Sequence, residues 1–415
     1  MTLIEERPDV GGGRGGEGPV DADVAIIGAG AAGLSLAHRL SSGTAGRRTP
    51  SVLLLTAPPG PLRPARRTWC FWEAGPGPYD PALTASWQRL RVRPARGRPV
   101  ESRIAPLRYK MLGSDDFEEL VHRDLAARGT VRRTEAVVDT VEGVPGGARV
   151  RAATPAGVPL DVRARWVFDS RPLGALPAAR TTLFQHFHGW FVRAERPVFD
   201  PGVVDLMDFR TPQPPRGLSF GYVLPTGRHT ALVEYTEFSP APLTQEQYDA
   251  ALRHYTRDVL GLGRLRVTAE ESGVIPMTDA PFARQSGPAV FRIGTAGGAT
   301  RPSTGYTFAA VQRQARAVAA AFGAGRRPVP PPAHSARSRA MDAVLLRALA
   351  TGRVDGADFF SRLFARVPAE RLLRFLDGRT LLYEDIAVGL RTPVLPMLRT
   401  AAELPRLPRR PFEDP

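Results

Sequence analysis

The chain has 415 residues, a formal net charge of +15 and a single cysteine, Cys70, in an ordinary globular composition of 43% hydrophobic and 23% charged residues. That length accommodates two connected lobes, the lone cysteine excludes an internal disulfide and fits a reducing cytoplasmic compartment, and no apolar run approaches the ~20 residues of a spanning helix. Every basic residue except Lys110 is arginine, which fits either GC-rich codon usage or a basic face for anionic lipid head groups; no zinc-finger spacing, aromatic RNA-binding motif or basic arm supports nucleic-acid binding.

Met1–Val20 carries acids and a glycine run but no apolar h-region, and reads as a disordered tail rather than a signal peptide. The next segment, Asp21–Arg39, is DADVAIIGAGAAGLSLAHR. Val24–Ile27 has the continuous apolar character of a buried parallel strand. Gly28, Gly30 and Gly33 follow as G-x-G-x-x-G, with an Ala/Leu-rich helix through Leu40. Ser51–Leu55 is a second strand. Strand, glycines, helix and strand in this order predict a dinucleotide cradle, with the pyrophosphate on the helix N-terminus. The acid that usually closes the second strand is absent, and Thr56 stands there. Adenosine binding is therefore weaker, or is supported by backbone or by Arg66 and Arg67.

A proline-rich turn, Pro58–Pro64, precedes the aromatic cluster Trp69, Phe71 and Trp72. Tyr109–Arg123 reads as a short loop entering a helix capped by Ser114 or Asp115. Ala136–Val141 and Ala148–Val162 are β-rich, and Trp166–Pro172 returns to the sheet. From Leu183 to about Val267, short aromatic strands bounded by Pro or Gly predict an antiparallel sheet. Gln245–Leu260 reads as a helix. A nucleotide-type strand and loop follow at Val290–Phe308, then a helix through Phe322, a linker at Pro328–Pro332, and helices over Ala340–Leu390. The fold class is thus α/β. A discontinuous Rossmann-type dinucleotide-binding lobe spans 22–180 and 271–327, an antiparallel substrate lobe 181–270, and a helical region 333–400.

RIGTAGGATRPSTGYTF (Arg292–Phe308) places Gly294, Pro302 and Gly305 at the spacing of the second flavin motif of glutathione-reductase-type flavoproteins, with Thr295 where hydroxylases carry aspartate. Its wording, with RTWCFWE (Arg67–Glu73), VFDSRP (Val167–Pro172), QHFHGW (Gln185–Trp190), LMDFR (Leu206–Arg210), LVEYTEFS (Leu232–Ser239) and SGVIPM (Ser272–Met277), resembles the flavin-dependent bacterial lycopene β-cyclases along most of the chain. The resemblance implies reduced FAD, held by Gly28, Gly30, Ala31, Gly33, Thr56, Gly294, Thr295, Gly297, Pro302, Gly305 and Tyr306, with NAD(P)H as reductant. It also implies lycopene or another linear or monocyclic carotenoid as substrate, and peripheral association of a cytoplasmic protein with a membrane surface.

Such a ring closure moves one proton in and one out without net redox change. Glu234, in the apolar ALVEYTEF, is the expected acid, because desolvation keeps a carboxyl protonated and the family resemblance marks this position. By alternation Glu237 points to the opposite, solvent side. Glu73 is a second acid or a partner of Arg67. Asp208 either orients Glu234 or pairs with Arg210. Trp69, Phe71, Trp72, Tyr306 and Phe308 either line the substrate channel, each stabilising a cation by about 0.5–2 kcal/mol, or pack the core. His186 and His188 are candidate bases, and no metal-ligand spacing occurs. Apolar C-terminal helices such as DFFSRLF are the expected membrane contact. Rival readings are a flavin monooxygenase, an isoprenoid-chain reductase, or a carotenoid or flavin carrier that would not need Glu234.

Overall fold

The computed structural model describes residues 20–43 and 49–412. The expected tail lies outside them except for Val20, and the next residue, Asp21, is already tied into a sheet through Arg163. In chain order the elements are β1 (Ala22–Ile27), α1 (Ala31–Ser41), β2 (Val52–Thr56), β3 (Thr68–Ala74), β4 (Leu83–Trp87), β5 (Arg89–Arg93), β6 (Val100–Arg103), β7 (Leu107–Gly113), α2 (Ser114–Arg128), β8 (Val131–Glu135), β9 (Val137–Val144), β10 (Gly147–Ala153) and β11 (Pro159–Asp169). Then come β12 (Thr182–Ala194), β13 (Val204–Asp208), β14 (Leu218–Pro225), β15 (Thr230–Ser239), α3 (Gln245–His254), β16 (Leu265–Thr278), β17 (Gln285–Gly287), β18 (Val290–Arg292) and α4 (Phe308–Gly323). The chain finishes with α5 (Ala336–Ala350), α6 (Gly356–Arg366), α7 (Ala369–Leu376), α8 (Leu382–Gly389) and α9 (Val394–Glu403).

β1 pairs in parallel with both β2 and β11, and β18 joins β11, also in parallel. Their apolar runs are buried because α1, α2 and α4 pack one shared cluster against them, with Val24, Ile26, Leu34, Phe168 and Val311 at its centre. A second sheet has the order β16-β12-β15-β14-β13-β5-β6. It therefore recruits Arg89–Arg103 and Leu265–Thr278, beyond the stretch that alternation marked out.

A third sheet, β3-β7-β4, lies between these two. Tyr109–Gly113 is thus a strand and not a loop, and α2 starts from Gly113 with no side-chain cap. Both faces of the large sheet are covered. α3 and the π-turn after it pack on Val192, Val223, Val233 and Tyr235, while the middle sheet and α5–α7 pack on Tyr222, Leu232 and Phe238. Among the described residues no helix is long and apolar enough to cross a membrane.

Candidate active site

The glycine loop between β1 and α1 is built on two contacts and one opening. Gly28 has φ +93°, and a Cβ on Gly33 would fall 1.9 Å from the Gly28 carbonyl oxygen. At Gly30 a Cβ would meet nothing within 4 Å. That open side adjoins the first turn of α1, whose N–H groups, from Ala31 onward, have no intrahelical acceptor. Open backbone beside free N–H groups fits a dinucleotide pyrophosphate. At the adenosine end Thr56 donates weakly to the Thr134 carbonyl at 3.4 Å. Arg66 pairs instead with Asp115 at 3.2 Å, and Arg67 lies in the fields of Glu118 and Glu271.

The second loop runs from Gly294 to Tyr306 and touches the first, since a Cβ on Gly294 (φ +65°) would sit 3.0 Å from Ala32 Cβ. A Cβ on Gly297 would overlap the Arg292 carbonyl at 2.4 Å. Thr295 is exposed and joins a chain of hydroxyls through Thr300 to Thr307 at 3.2 and 3.0 Å. Polar contact is therefore available where hydroxylases place a charge. Pro302 starts the turn that leads to Gly305 (φ +72°), where a Cβ would come 2.1 Å from Gln185 Oε1 on β12. This contact presses the nucleotide lobe's loop against the large sheet.

Beside that contact the sheet carries one row of side chains. Register pairs Tyr222 with Glu234, Glu234 with Gly189, and Gly189 with Glu271, across β14, β15, β12 and β16. Directly paired residues share a face, so two carboxyls flank a position with no side chain. Both Glu234 and Glu271 are 7% exposed. Thr68 on β3 donates to Glu271 Oε2 at 2.7 Å, and Thr236 donates to Glu234 Oε1. Cys70 and Trp72 follow Thr68 on the same face of β3. Trp72 meets the Tyr306 ring edge-on at 4.7 Å. The Tyr109 hydroxyl joins those of Tyr222 at 2.5 Å and Tyr306 at 2.9 Å.

Burial, reinforced by the neighbouring Glu271, pushes the Glu234 carboxyl up to about 8. Burial also raises Glu271, opposed by the Thr68 hydroxyl and by Arg66 and Arg67. The Cys70 thiol is pushed up to about 12, chiefly by burial, and desolvation raises Tyr109, Tyr222 and Tyr306 as well. The site thus holds a protonated carboxyl at neutral pH among neutral hydroxyls and an aromatic face. Such a group delivers a proton in a place poor in water.

Several expected residues lie elsewhere. Trp69 and Phe71 project to the other face of β3, where they pack with Phe117, Tyr79 and Phe308 at ring separations of 4.7–5.8 Å. Strand alternation thus divides the aromatic cluster, and Trp72, against the Tyr306 ring, lies on the face of β3 from which Thr68 binds Glu271. Glu73 pairs with the buried Lys110 at 2.9 Å, together with Asp80 at 2.5 Å, and not with Arg67. Asp208 is fully buried and binds Arg210 at 2.5 Å and the Tyr255 hydroxyl at 3.0 Å. It anchors the far end of the sheet rather than orienting Glu234. Tyr255 reaches it over Gly221, where a Cβ would overlap the ring at 2.0 Å.

Glu237 is not on a solvent face, because α3 covers that side; it is 6% exposed and accepts from Tyr235 at 3.0 Å. His186 and His188 also face α3. His186 is bound at 2.7 Å to both Tyr248 and Ser239, and burial pushes it down to about 4, so neither histidine reaches Glu234. Glu271, by contrast, precedes the quoted SGVIPM by one residue. Only the cross-strand register through Gly189 reveals it. An open cleft of about 850 Å³, bordered by Trp190 and exposed arginines such as Arg253 and Arg257, lies on neither glycine loop nor the carboxyl row.

The family described as lycopene cyclase protein matches residues 23–402. No curated protein matches the chain in sequence. Among solved structures it is similar to p-nitrophenol 4-monooxygenase from Pseudomonas putida DLL-E4, with a TM-score of 0.59 and 16% identity, covering 94% of this chain and 99% of that one. It is also similar to a geranylgeranyl bacteriochlorophyll reductase-like protein from Thermoplasma acidophilum, with a TM-score of 0.56 and 14% identity over 92% and 96% of the two chains. The flavin-dependent monooxygenase PieE, solved with FAD and substrate, gives a TM-score of 0.59 at 16% identity over 93% and 72%. These likenesses establish the α/β fold of flavin-dependent enzymes.

Proposed function

The chain belongs to the lycopene cyclase family, and from that premise we propose that it closes the linear ends of lycopene into β-ionone rings by acid-initiated cyclisation without net redox change. The observation that carries the reading is the carboxyl row, in which Glu234 is held protonated near neutral pH and faces Glu271 across Gly189. Glu234 donates its proton to the terminal alkene, and the neighbouring double bond attacks the resulting tertiary cation to form the ring. A proton then leaves the ring carbon beside the new cation. Glu271, whose carboxyl is raised by burial against the opposing Thr68 hydroxyl, Arg66 and Arg67, stands across Gly189 from Glu234 and accepts it. The faces of Trp72 and Tyr306 each stabilise the passing cation by about 0.5–2 kcal/mol.

FAD fits the two glycine loops, with Gly28, Gly30, Ala31 and Gly33 at the pyrophosphate and Gly294, Thr295, Gly297, Pro302, Gly305 and Tyr306 along its length; solved neighbours of this fold were obtained with FAD. Bound in reduced form, with NAD(P)H as reductant, it would supply negative charge that stabilises the cation. A hydrophobic carotenoid also requires the protein to work at a membrane surface as a peripheral enzyme.

Two outcomes test this reading. Lycopene presented in vesicles, with chemically reduced FAD and no oxygen, is expected to yield only isomeric products with one or two rings. Products that gain or lose hydrogen or oxygen would make the protein a reductase or monooxygenase instead. Gly189→Val should fill the gap between the carboxyls, since a Cβ there already lies 3.0 Å from Leu232 Cδ1 and 3.4 Å from Glu234 Cβ. We expect ring closure at least about tenfold slower with flavin content unchanged, measured by product chromatography and flavin absorbance on one preparation.

A further inference from the structure

α6, the DFFSRLF helix, is not a surface anchor: Phe359, Phe360, Leu363 and Phe364 are all buried in the core. The exposed apolar surface lies farther along the chain. Between Leu381 and Leu398 the large side chains of Leu382, Tyr383, Ile386, Leu390, Leu395 and Leu398 are each 55–67% exposed. Most of the exposed large apolar residues among the described ones fall in this single stretch of α8, α9 and their connection. Scattered exposed apolar residues are normal on a soluble protein, whereas a contiguous group marks a contact surface.

Charge selects the partner. Within residues 379–403 the only acids are Glu384, Asp385 and Glu403; the first two are buried and paired with Arg374 and Arg337, and Glu403, at the end of α9, is half-buried and paired with Arg347 and Arg353. The basic residues Arg379, Arg391 and Arg399 are exposed and enter no ion pair among the described residues. The exposed charge of this stretch is therefore wholly positive. The last described residues of the chain do not cover it, since Arg410 pairs with Ala179 and Phe412 packs on Phe184.

We propose that α8 and α9 dock this protein on an anionic lipid bilayer, with the leucine-rich face entering the acyl region and the three arginines meeting lipid phosphates. The inner side of the same layer adds a consequence. Phe375 and Met397 pack against the apolar cluster that contains Trp72, Tyr109 and Tyr222, so one continuous apolar body joins the docking face to the carboxyl row. The naming of a carotenoid as what crosses that body rests on the cyclase reading. The docking itself does not.

The test uses the full chain and carotenoid-free vesicles, so failure of docking and failure of the cyclase reading are distinguishable. Sedimentation with phosphatidylcholine vesicles, with and without phosphatidylglycerol, should show binding that strengthens with the anionic lipid and weakens with salt. Leu395→Asp with Leu398→Asp should reduce binding at least about tenfold, with a melting temperature close to wild type because both positions are exposed. Arg391→Gln with Arg399→Gln should remove the preference for phosphatidylglycerol. Undiminished binding by the aspartate variant overturns the proposal. So does a wild-type dimer that this variant dissolves without vesicles, which would make the face a contact between copies.

Discussion

Glu234→Gln is expected to abolish ring closure, lowering turnover by roughly 10²–10⁴-fold, while FAD content and fold are retained. The change is isosteric and keeps an oxygen for the Thr236 hydroxyl, yet an amide is no proton donor. Burial and the facing Glu271 hold the Glu234 carboxyl up at about 8, so wild-type cyclisation should persist below that pH and fade above it. The stability effect has a definite sign. A carboxyl raised from its ordinary value near 4.5 to about 8 makes the folded chain bind more protons than the unfolded chain between those values. Stability therefore declines as pH rises through that window. Glu234→Gln removes this dependence, and the variant should gain stability relative to wild type at pH 9, by an amount of order a few kcal/mol. Thermal melts at pH 6 and pH 9 check the second effect, and chromatography of carotenoids checks the first. Undiminished cyclisation by Glu234→Gln would remove this residue from the acid's role.

The second large effect is at Gly33. A Cβ there would lie 1.9 Å from the Gly28 carbonyl oxygen and 3.2 Å from Ile26 Cγ2, so Gly33→Ala must push α1 away from β1. That displacement moves the first-turn N–H groups and loosens the cluster around Leu34 and Leu36. We expect FAD to be lost on purification, an affinity decrease of at least about 100-fold, together with destabilisation of about 1–3 kcal/mol. Gly30→Ala is the instructive contrast. Its backbone is extended and its Cβ would meet nothing within 4 Å of protein, so it should melt like wild type and still bind FAD less tightly. If both variants bound FAD as wild type does, the glycine loop would not be the pyrophosphate site.

The parts of the molecule legible in the sequence are those whose signal is local. The order strand, glycine loop, helix and strand from Ala22 to Thr56 follows from spacing and apolar runs, and the flavin-type loop from Gly294 to Gly305 follows from three residues at fixed separation. Glu234 was reachable only through resemblance to a family, because alternation within β15 assigns it no more burial than Glu237. Here alternation separates two faces but not inside from outside, since both sides of the large sheet are covered. Glu271 needed a longer-range signal: it meets Glu234 through the register of β16 on β12, across 37 residues of sequence. The same limit explains the aromatic residues. Trp69, Phe71 and Trp72 are neighbours in the chain, yet strand geometry sends only Trp72 towards the carboxyls. Apolar content likewise marks the DFFSRLF helix, α6, without telling whether it faces a membrane or the core, and the core is where it lies.

Solvent isotope incorporation tests the central claim most directly. Lycopene treated in D2O with the protein and reduced FAD, without oxygen, should give an isomeric product carrying one deuterium for each ring closed, because Glu234 exchanges with solvent before it donates. A product with no solvent deuterium, or one whose mass records net gain or loss of hydrogen or oxygen, would contradict acid-initiated cyclisation.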